Sequence, residues 1–418
     1  MATPPASETP VELEAKLRAA FTPHSPISRP AVFRGRISQI RASIDAMASP
    51  GLHVVLYGER GVGKTSLASV LTQILKDVQA HSRVICSRDD TFSKVMKRAL
   101  HQIALTNVRA PFGFTGDVRP DGFTLADAQE PQGYGPDEIA TTLTALPPLV
   151  VLVFDEFDRL TPEASAPFAD LIKSLSDRGS TATIVLVGVA SDVGELLSNH
   201  QSVSRCLRQI SIPRMSDGEV AEIIDLGMKS AGFSFRRLDT RAAIIDTAQG
   251  FPYYAHLLSL YAGQVAVDDE RSEITTADFQ VGLKNAVAHA DQGLRDEYYQ
   301  AVAGTKKTNM WREVVLACAV AEADDRGYFS SRSVQDSLSQ ILNREVIQQT
   351  VAFHLGKLTE NSRGPLLHRI GPERRYRYNF ANPLIRPFIK MQAAVRRLEA
   401  EANKIEADTL PFGSDAGA

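Results

Sequence analysis

Apolar and polar positions change rhythm several times along the chain, and each change marks an element. Residues 52–57 and 150–154 are apolar, β-branched runs, the pattern of strands buried on both faces. Residues 81–86 and 183–189 read the same way. Between them lie stretches with apolar positions at helical spacing: 37–47, with Ile37, Ile40, Ile44 and Met47 on one face, then 66–75, 91–106, 137–145 and 163–177. This alternation predicts a parallel sheet covered on both sides by helices. From Ser216 onward the strand rhythm stops, and 219–231, 240–247, 253–267 and 276–288 read as helices, several opening on Ser, Thr or Asp. A third region is predicted to hold helices at 310–323, 330–342 and 344–360. The last has Ile347, Val351, Leu355 and Leu358 on one stripe and Asn343 as its cap. Two short strands, 366–370 and 375–380, then flank Gly371-Pro372-Glu373-Arg374, and three helices followed by a hairpin describe a winged helix.

Punctuation sets the expected boundaries. Residues 1–28 are rich in Pro, Ser, Thr and Glu and predict a flexible segment, and 111–136, dense in Gly, Pro and Asp, predicts an irregular excursion. The α/β unit should span 29–214, a helical lid 215–293, the winged helix 294–392, and a charged helix with a disordered tail 393–418. A length of 418 residues exceeds what one core usually serves, in keeping with several domains. A net charge of −3 argues against a wholesale polyanion binder but leaves room for one basic module. The cysteines, Cys86, Cys206 and Cys318, lack metal-ligand spacing and read as buried thiols. The chain shows no signal-peptide pattern and no apolar run long enough for a bilayer, so a soluble, cytoplasmic protein without a membrane partner is expected.

Two segments carry chemistry. Gly58-Glu59-Arg60-Gly61-Val62-Gly63-Lys64-Thr65 fits G-x-x-x-x-G-K-[ST] and lies between a strand and a helix that opens with Ser66. In that order the loop's backbone N–H groups wrap phosphates, Lys64 reaches the β- and γ-phosphates, Thr65 ligates Mg²⁺, and the helix N-terminus adds its positive end. The second is the strand ending in Asp155-Glu156. Asp155 is expected to hold Mg²⁺, and Glu156 to orient and deprotonate the attacking water. The pair predicts binding of ATP with Mg²⁺ and its hydrolysis.

On these motifs the chain resembles the AAA+ ATPases, in particular the branch holding the origin-initiator ATPases and the STAND signalling ATPases. The resemblance spans residues 32–388. It implies a P-loop AAA+ core with a helical lid and a C-terminal winged helix. It also implies roles for further residues. Phe33-Arg34-Gly35-Arg36 looks like the F-x-G-R element that cradles the base, which assigns Phe33 and Arg36. Ser191 stands where the family carries its first sensor, more often Asn. Val203-Ser204-Arg205 is similar to the V-x-S-R element that supplies an arginine finger to a neighbouring subunit, with Arg208 the competing candidate. Gly250-Phe251-Pro252 looks like the G-x-P motif of STAND lids, in which Pro252 lies against adenine. Initiators place a sensor arginine near this helix start, where this chain has Tyr253 and Tyr254.

Two functions compete. One is an ATP-dependent assembly switch that self-associates in the ATP state and contacts duplex DNA through Arg344 and Gln348 of the third helix and Arg374, Arg375 and Arg377 of the hairpin. The other is a STAND-type regulatory ATPase whose third region packs against a protein partner. The arginine-rich hairpin favours the first. The thin set of base-reading side chains on the third helix counts against it.

Overall fold

The computed structural model describes residues 9–25, 35–75, 80–104, 124–146, 150–189, 201–304, 310–324, 327–373 and 375–409. It forms two compact units, one of His24–Ile223 and one of Met1–Pro23 with Ile224–Ala418. Helix α1 (Pro10–Ala20) opens the described chain and belongs to the second unit.

The first unit begins with α2 (Ile37–Met47) and continues through β1 (His53–Gly58), α3 (Lys64–Leu75), β2 (Ala80–Ile85), α4 (Phe92–His101), α5 (Leu125–Gln129), α6 (Pro136–Ala145), β3 (Val150–Asp155), α7 (Pro162–Asp177), β4 (Thr183–Val189) and β5 (Leu207–Ser211). The strands form a parallel sheet in the order β2-β3-β4-β1-β5. All six residues of β3 are buried, as an unbroken apolar run in the middle of a covered sheet requires. Phe168 of α7 meets Phe92, Phe154 and Phe157 edge-on, with ring centroids 4.9, 4.9 and 5.0 Å apart. This cluster underpins the end of β3, and truncating Phe168 to Ala should cost about 3–5 kcal/mol. β1 leads on to β2 at one edge of the sheet and β4 to β5 at the other, so the carboxyl ends of these neighbours are its topological switch point.

Two details differ from the sequence expectation. On α2 the buried positions are Ser43, Ala46 and Met47, while Ile37 is 70% exposed and Ile44 38%. Small residues let α2 lie close to the sheet, so of the expected stripe Met47 is buried and Ile40 partly so, while the burial otherwise shifts to Ser43 and Ala46. Within the segment expected to be irregular, α5 forms on a reciprocal cap: Asp127 accepts from the Thr124 N–H at 2.8 Å, and Leu125 and Ala126 are buried. Residues 111–123 of that segment lie outside the described residues.

The second unit contains most of α8 (Asp217–Ala231), then β6 (Ser234–Phe235), α9 (Leu238–Ala248), α10 (Pro252–Asp268), β7 (Glu273–Ile274), α11 (Thr276–Ala288) and α12 (Gln292–Val302). The strands β6 and β7 pair in parallel, two residues each, too short to leave a periodic signal. Helix α1 lies inside the segment expected to be flexible. A capping box starts it, with the Thr9 N–H donating to Glu12 at 2.9 Å and the Glu12 N–H to Thr9 Oγ1 at 3.3 Å. Leu13, Leu17 and Phe21 are buried, and the seat on α10 depends on a missing side chain: a Cβ at Gly263 would press to 2.7 Å from Leu17. The Thr22 N–H then donates to His256 Nδ1 at 3.3 Å.

Beyond α12 come α13 (Trp311–Val320), β8 (Phe329–Ser330), α14 (Ser331–Leu342), α15 (Gln348–Leu358), β9 (Leu367–Ile370), β10 (Arg377–Phe380) and α16 (Ile385–Thr409). The three strands form an antiparallel sheet in the order β8-β10-β9, with Arg377 opposite both Ser330 and Ile370. Tyr378 and Phe380 point into the core and Arg377 outward, the alternation a half-buried strand demands. Asn343 ends α14 in the left-handed conformation (φ 49°) instead of capping the next helix, which starts after Ile347. Ile347 is 63% exposed, so the buried stripe of α15 is Val351, Leu355 and Leu358.

Candidate active site

The phosphate loop joins β1 to α3 at this switch point. Gly58, Gly61 and Gly63 all have positive φ (155°, 85° and 94°), a run that side chains would strain. At Gly58 a Cβ would also overlap the Ile212 carbonyl oxygen. Glu59, Gly61, Gly63, Thr65 and Ser66 are partly accessible, Arg60 is exposed, and Val62 is buried as the loop's anchor. Lys64 is 8% exposed and its Nζ donates to the carbonyl oxygens of Gly58 and Glu59 at 3.0 and 2.6 Å. Burial pushes its pKa down to about 8, against the pull of Asp158, Asp155 and Glu59.

At the end of β3, Asp155 is 2% exposed. Its Oδ1 accepts the Glu156 N–H at 2.9 Å and lies 3.4 Å from the Thr65 hydroxyl, so both candidate metal ligands meet. Glu156 takes a left-handed conformation (φ 54°, ψ 37°), which costs a non-glycine residue on the order of 1–3 kcal/mol. The turn throws its side chain outward, where Oε2 pairs with Arg159 at 3.1 Å. Two residues on, Asp158 accepts the Val189 N–H at 2.7 Å and ties this turn to the end of β4. Loop glycines, a lysine, and a hydroxyl beside a buried carboxylate fit a nucleotide with Mg²⁺.

A second layer braces the loop. Arg36, 3% exposed and left-handed (φ 60°), donates to the carbonyl oxygens of Val62, at 3.4 Å, and Pro213. Its place in the structure is thus beneath the phosphate loop. Arg214 Nε pairs with Glu59 at 2.8 Å, and Arg83 Nη2 pairs with Asp155 Oδ2 at 2.5 Å. Sequence reasoning missed Arg83, Asp158 and Arg214. Asp158 alone carried a local signal, an acid three positions after Asp155.

The remaining candidate residues belong to several elements of the two units. Arg205 is 72% exposed and pairs with Asp177 at 3.2 Å, a surface contact worth about 0–1 kcal/mol, and Arg208 is exposed on the edge strand β5. Pro252 opens α10 in the second unit. Arg344 contacts the Met310 sulfur at 3.5 Å, Gln348 and Arg375 are exposed, and Arg377 is engaged by Asp324 at 3.1 Å and the Tyr328 carbonyl oxygen at 2.9 Å. Phe33, Ser191 and Arg374 lie outside the described residues.

The model of the novel STAND NTPase 1 family matches residues 21–362. The chain belongs to this family of P-loop NTPases, of the AAA+ type. The structure of this STAND NTPase is similar to the Walker-type ATPase paby2304 of Pyrococcus abyssi, with a TM-score of 0.52 and 16% identity, over 88% of this chain and 99% of that one. At that identity the likeness concerns the fold. Similarity extends to the Aeropyrum pernix ORC1 protein in complex with DNA, with a TM-score of 0.45 and 16% identity over 91% of this chain and 98% of that one. No curated protein matches the chain. Among the described residues no helix is long and apolar enough to cross a membrane.

Proposed function

We propose that this STAND NTPase binds ATP with Mg²⁺, hydrolyses it slowly, and uses the cycle to switch its assembly and its hold on a partner. One observation carries the reading: the Thr65 hydroxyl and the buried Asp155 carboxylate stand 3.4 Å apart, beside Lys64 and one residue before Glu156. Thr65 and Asp155 would hold Mg²⁺, which when bound neutralises charge on the phosphate oxygens. Lys64 exchanges its loop carbonyl partners for phosphate oxygens, and Glu156 leaves Arg159 to accept a proton from water. Arg205, exposed and weakly held, is free to act as a finger on a second copy of the chain.

Residues 311–380 are read as a winged helix from three helices and a small antiparallel sheet. Its partner is taken to be a protein surface. Arg377, central to the basic hairpin, is engaged by Asp324 and Tyr328, and apolar side chains stand exposed at Ile347 (63%), just before α15, and at Phe353 (58%) on it. The exposed Arg375 supports the second reading, duplex DNA. Titration of the full chain with labelled ATP, with and without Mg²⁺, followed by phosphate release, tests the core of the proposal. Absence of nucleotide binding at millimolar Mg²⁺ would remove it.

A further inference from the structure

The buried carboxylate at the end of β3 has its two oxygens divided between different partners. Oδ1 faces the Thr65 hydroxyl at 3.4 Å and accepts the Glu156 N–H at 2.9 Å. Oδ2 is taken by Arg83, whose Nη2 lies 2.5 Å away and also 3.4 Å from the Thr65 carbonyl oxygen. One guanidinium therefore touches both segments that the nucleotide chemistry needs, the phosphate-loop helix and the acidic strand end. Arg83 sits opposite Val153 in the β2–β3 register, two positions before the residue opposite Asp155, so its side chain reaches along the sheet toward the carboxyl ends.

Its backbone is fixed with equal care. β2 is an edge of the sheet, where one side of the strand lacks a neighbour. At Arg83 the gap is closed by a side chain from just after α4: the Arg83 N–H donates to Gln102 Oε1 at 3.0 Å, and Gln102 Nε2 donates to the Arg83 carbonyl oxygen at 3.0 Å. The amide of Gln102 mimics a strand at one residue, the one from which the guanidinium springs.

We propose that Arg83 is a positioning residue of the nucleotide site, pinning Asp155 Oδ2 so that Oδ1 is presented beside Thr65, and thereby setting how strongly Mg²⁺ enhances nucleotide binding. The proposal rests on the ATP–Mg²⁺ reading above. A carboxylate turns about its last bond unless its outer oxygen is held, and losing such an outer partner typically lowers metal affinity about 10–100-fold. Both contacts leave one nitrogen, Nη2, so a lysine ammonium brought to the same point keeps part of the arrangement but loses the fixed orientation of the planar guanidinium. A simple countercharge would act in the opposite sense. If Arg83 only neutralised Asp155, its removal would leave a bare buried carboxylate that attracts Mg²⁺ more strongly.

The test is the ratio of nucleotide dissociation constants in EDTA and in Mg²⁺, measured by calorimetry with ADP on the full chain. Wild type is compared with Arg83→Gln, Arg83→Lys and Gln102→Leu, each checked for folding by circular dichroism. In Arg83→Gln the Mg²⁺ enhancement should fall about 10–100-fold while affinity in EDTA stays near wild type. Arg83→Lys should recover part of it, and Gln102→Leu, which keeps the charge but frees the backbone, should lose a smaller part. If Arg83→Gln does not fold, the other two decide. An enhancement equal to or above that of wild type in the folded variants overturns the proposal. Wild type that binds ADP no better with Mg²⁺ fails the ATP–Mg²⁺ reading itself, and the role of Arg83 falls with it.

Discussion

Glu219 accepts the backbone N–H of Arg36 at 3.1 Å, joining positions 183 apart in the chain. The same carboxylate accepts the Ser216 N–H at 2.9 Å, closing the capping box of α8. Arg36 in turn donates to Val62 in the phosphate loop. The entry to α2, the start of α8 and the loop are therefore one hydrogen-bonded assembly within the first unit. A shift at the start of α8 has a direct mechanical route to this loop.

Lys64→Ala should weaken ATP binding at least about tenfold, close to 1.4 kcal/mol, because its charge meets the phosphates. Glu156→Gln should keep ATP bound and slow turnover about 10²- to 10⁴-fold, since its carboxylate acts only on the water. Fluorescence titration and single-turnover hydrolysis separate the two. Normal turnover by Glu156→Gln would remove Glu156 as the base.

The sequence made the order of strands and helices and both phosphate-site segments legible, because periodicity and motif spacing are local. The bracing layer was not legible. Arg83 reaches Asp155 across 72 positions and Arg214 reaches Glu59 across 155, distances over which a single sequence carries no signal. Arg36 was noticed for its motif, yet its burial beneath the loop depends on Val62, Pro213 and Glu219 coming together. Helix α1 was hidden for another reason. Its composition resembles a linker, and the places that receive its apolar side chains are set by distant glycines, Gly263 facing Leu17 and Gly227 facing Phe21 just after the helix.

Arg205→Ala should bind ATP normally and hydrolyse it more slowly, by up to the 10³–10⁵ range of arginine fingers. A finger acting on a neighbour makes specific activity rise with protein concentration. Mixing Arg205→Ala with Lys64→Ala should restore part of the activity, since an intact finger then meets an intact loop. Concentration-independent turnover without rescue would place hydrolysis within one chain, and the parallel Arg208→Ala variant distinguishes the two candidates.

On the third region, wild type with ATP should bind duplex DNA only in the non-specific range, roughly 10⁻⁴–10⁻⁶ M at physiological salt. Arg377→Ala should leave that affinity and its salt slope nearly unchanged, because Arg377 is already engaged by Asp324 and Tyr328, and replacing Arg374 and Arg375 as well should lower the slope by no more than the two phosphate contacts they could make. Electrophoretic shifts over a salt series check this. Tight binding that the triple variant loses, with a flattened salt slope, would transfer the role of the hairpin to DNA.

Acid should destabilise both units through two buried histidines. His53, at the start of β1, accepts the Ile184 N–H on Nδ1 at 3.0 Å, and His256 in α10 accepts that of Thr22. Burial pushes each imidazole from 6.5 down to about 4, with the backbone of Ile172 offsetting only part of the effect at His53. Between those values the unfolded chain carries a proton that the folded chain refuses, so stability falls as pH drops from 6.5 toward 4. The slope is about 1.4 kcal/mol per pH unit for each histidine. The carboxylates of Glu219 and Asp278, held against the opposing effect of burial below their ordinary values of 4.5 and 3.8 by hydrogen bonds and neighbouring arginines, begin to lose their contributions at the acid end of this window for Glu219 and below it for Asp278. His53→Asn keeps an acceptor for Ile184 and removes the titration, so its urea midpoint should drop less than that of wild type between pH 7 and 4.5. His256→Asn should behave likewise for the second unit. If both variants follow the wild-type pH profile, the acid sensitivity lies elsewhere and neither histidine is held neutral by its burial.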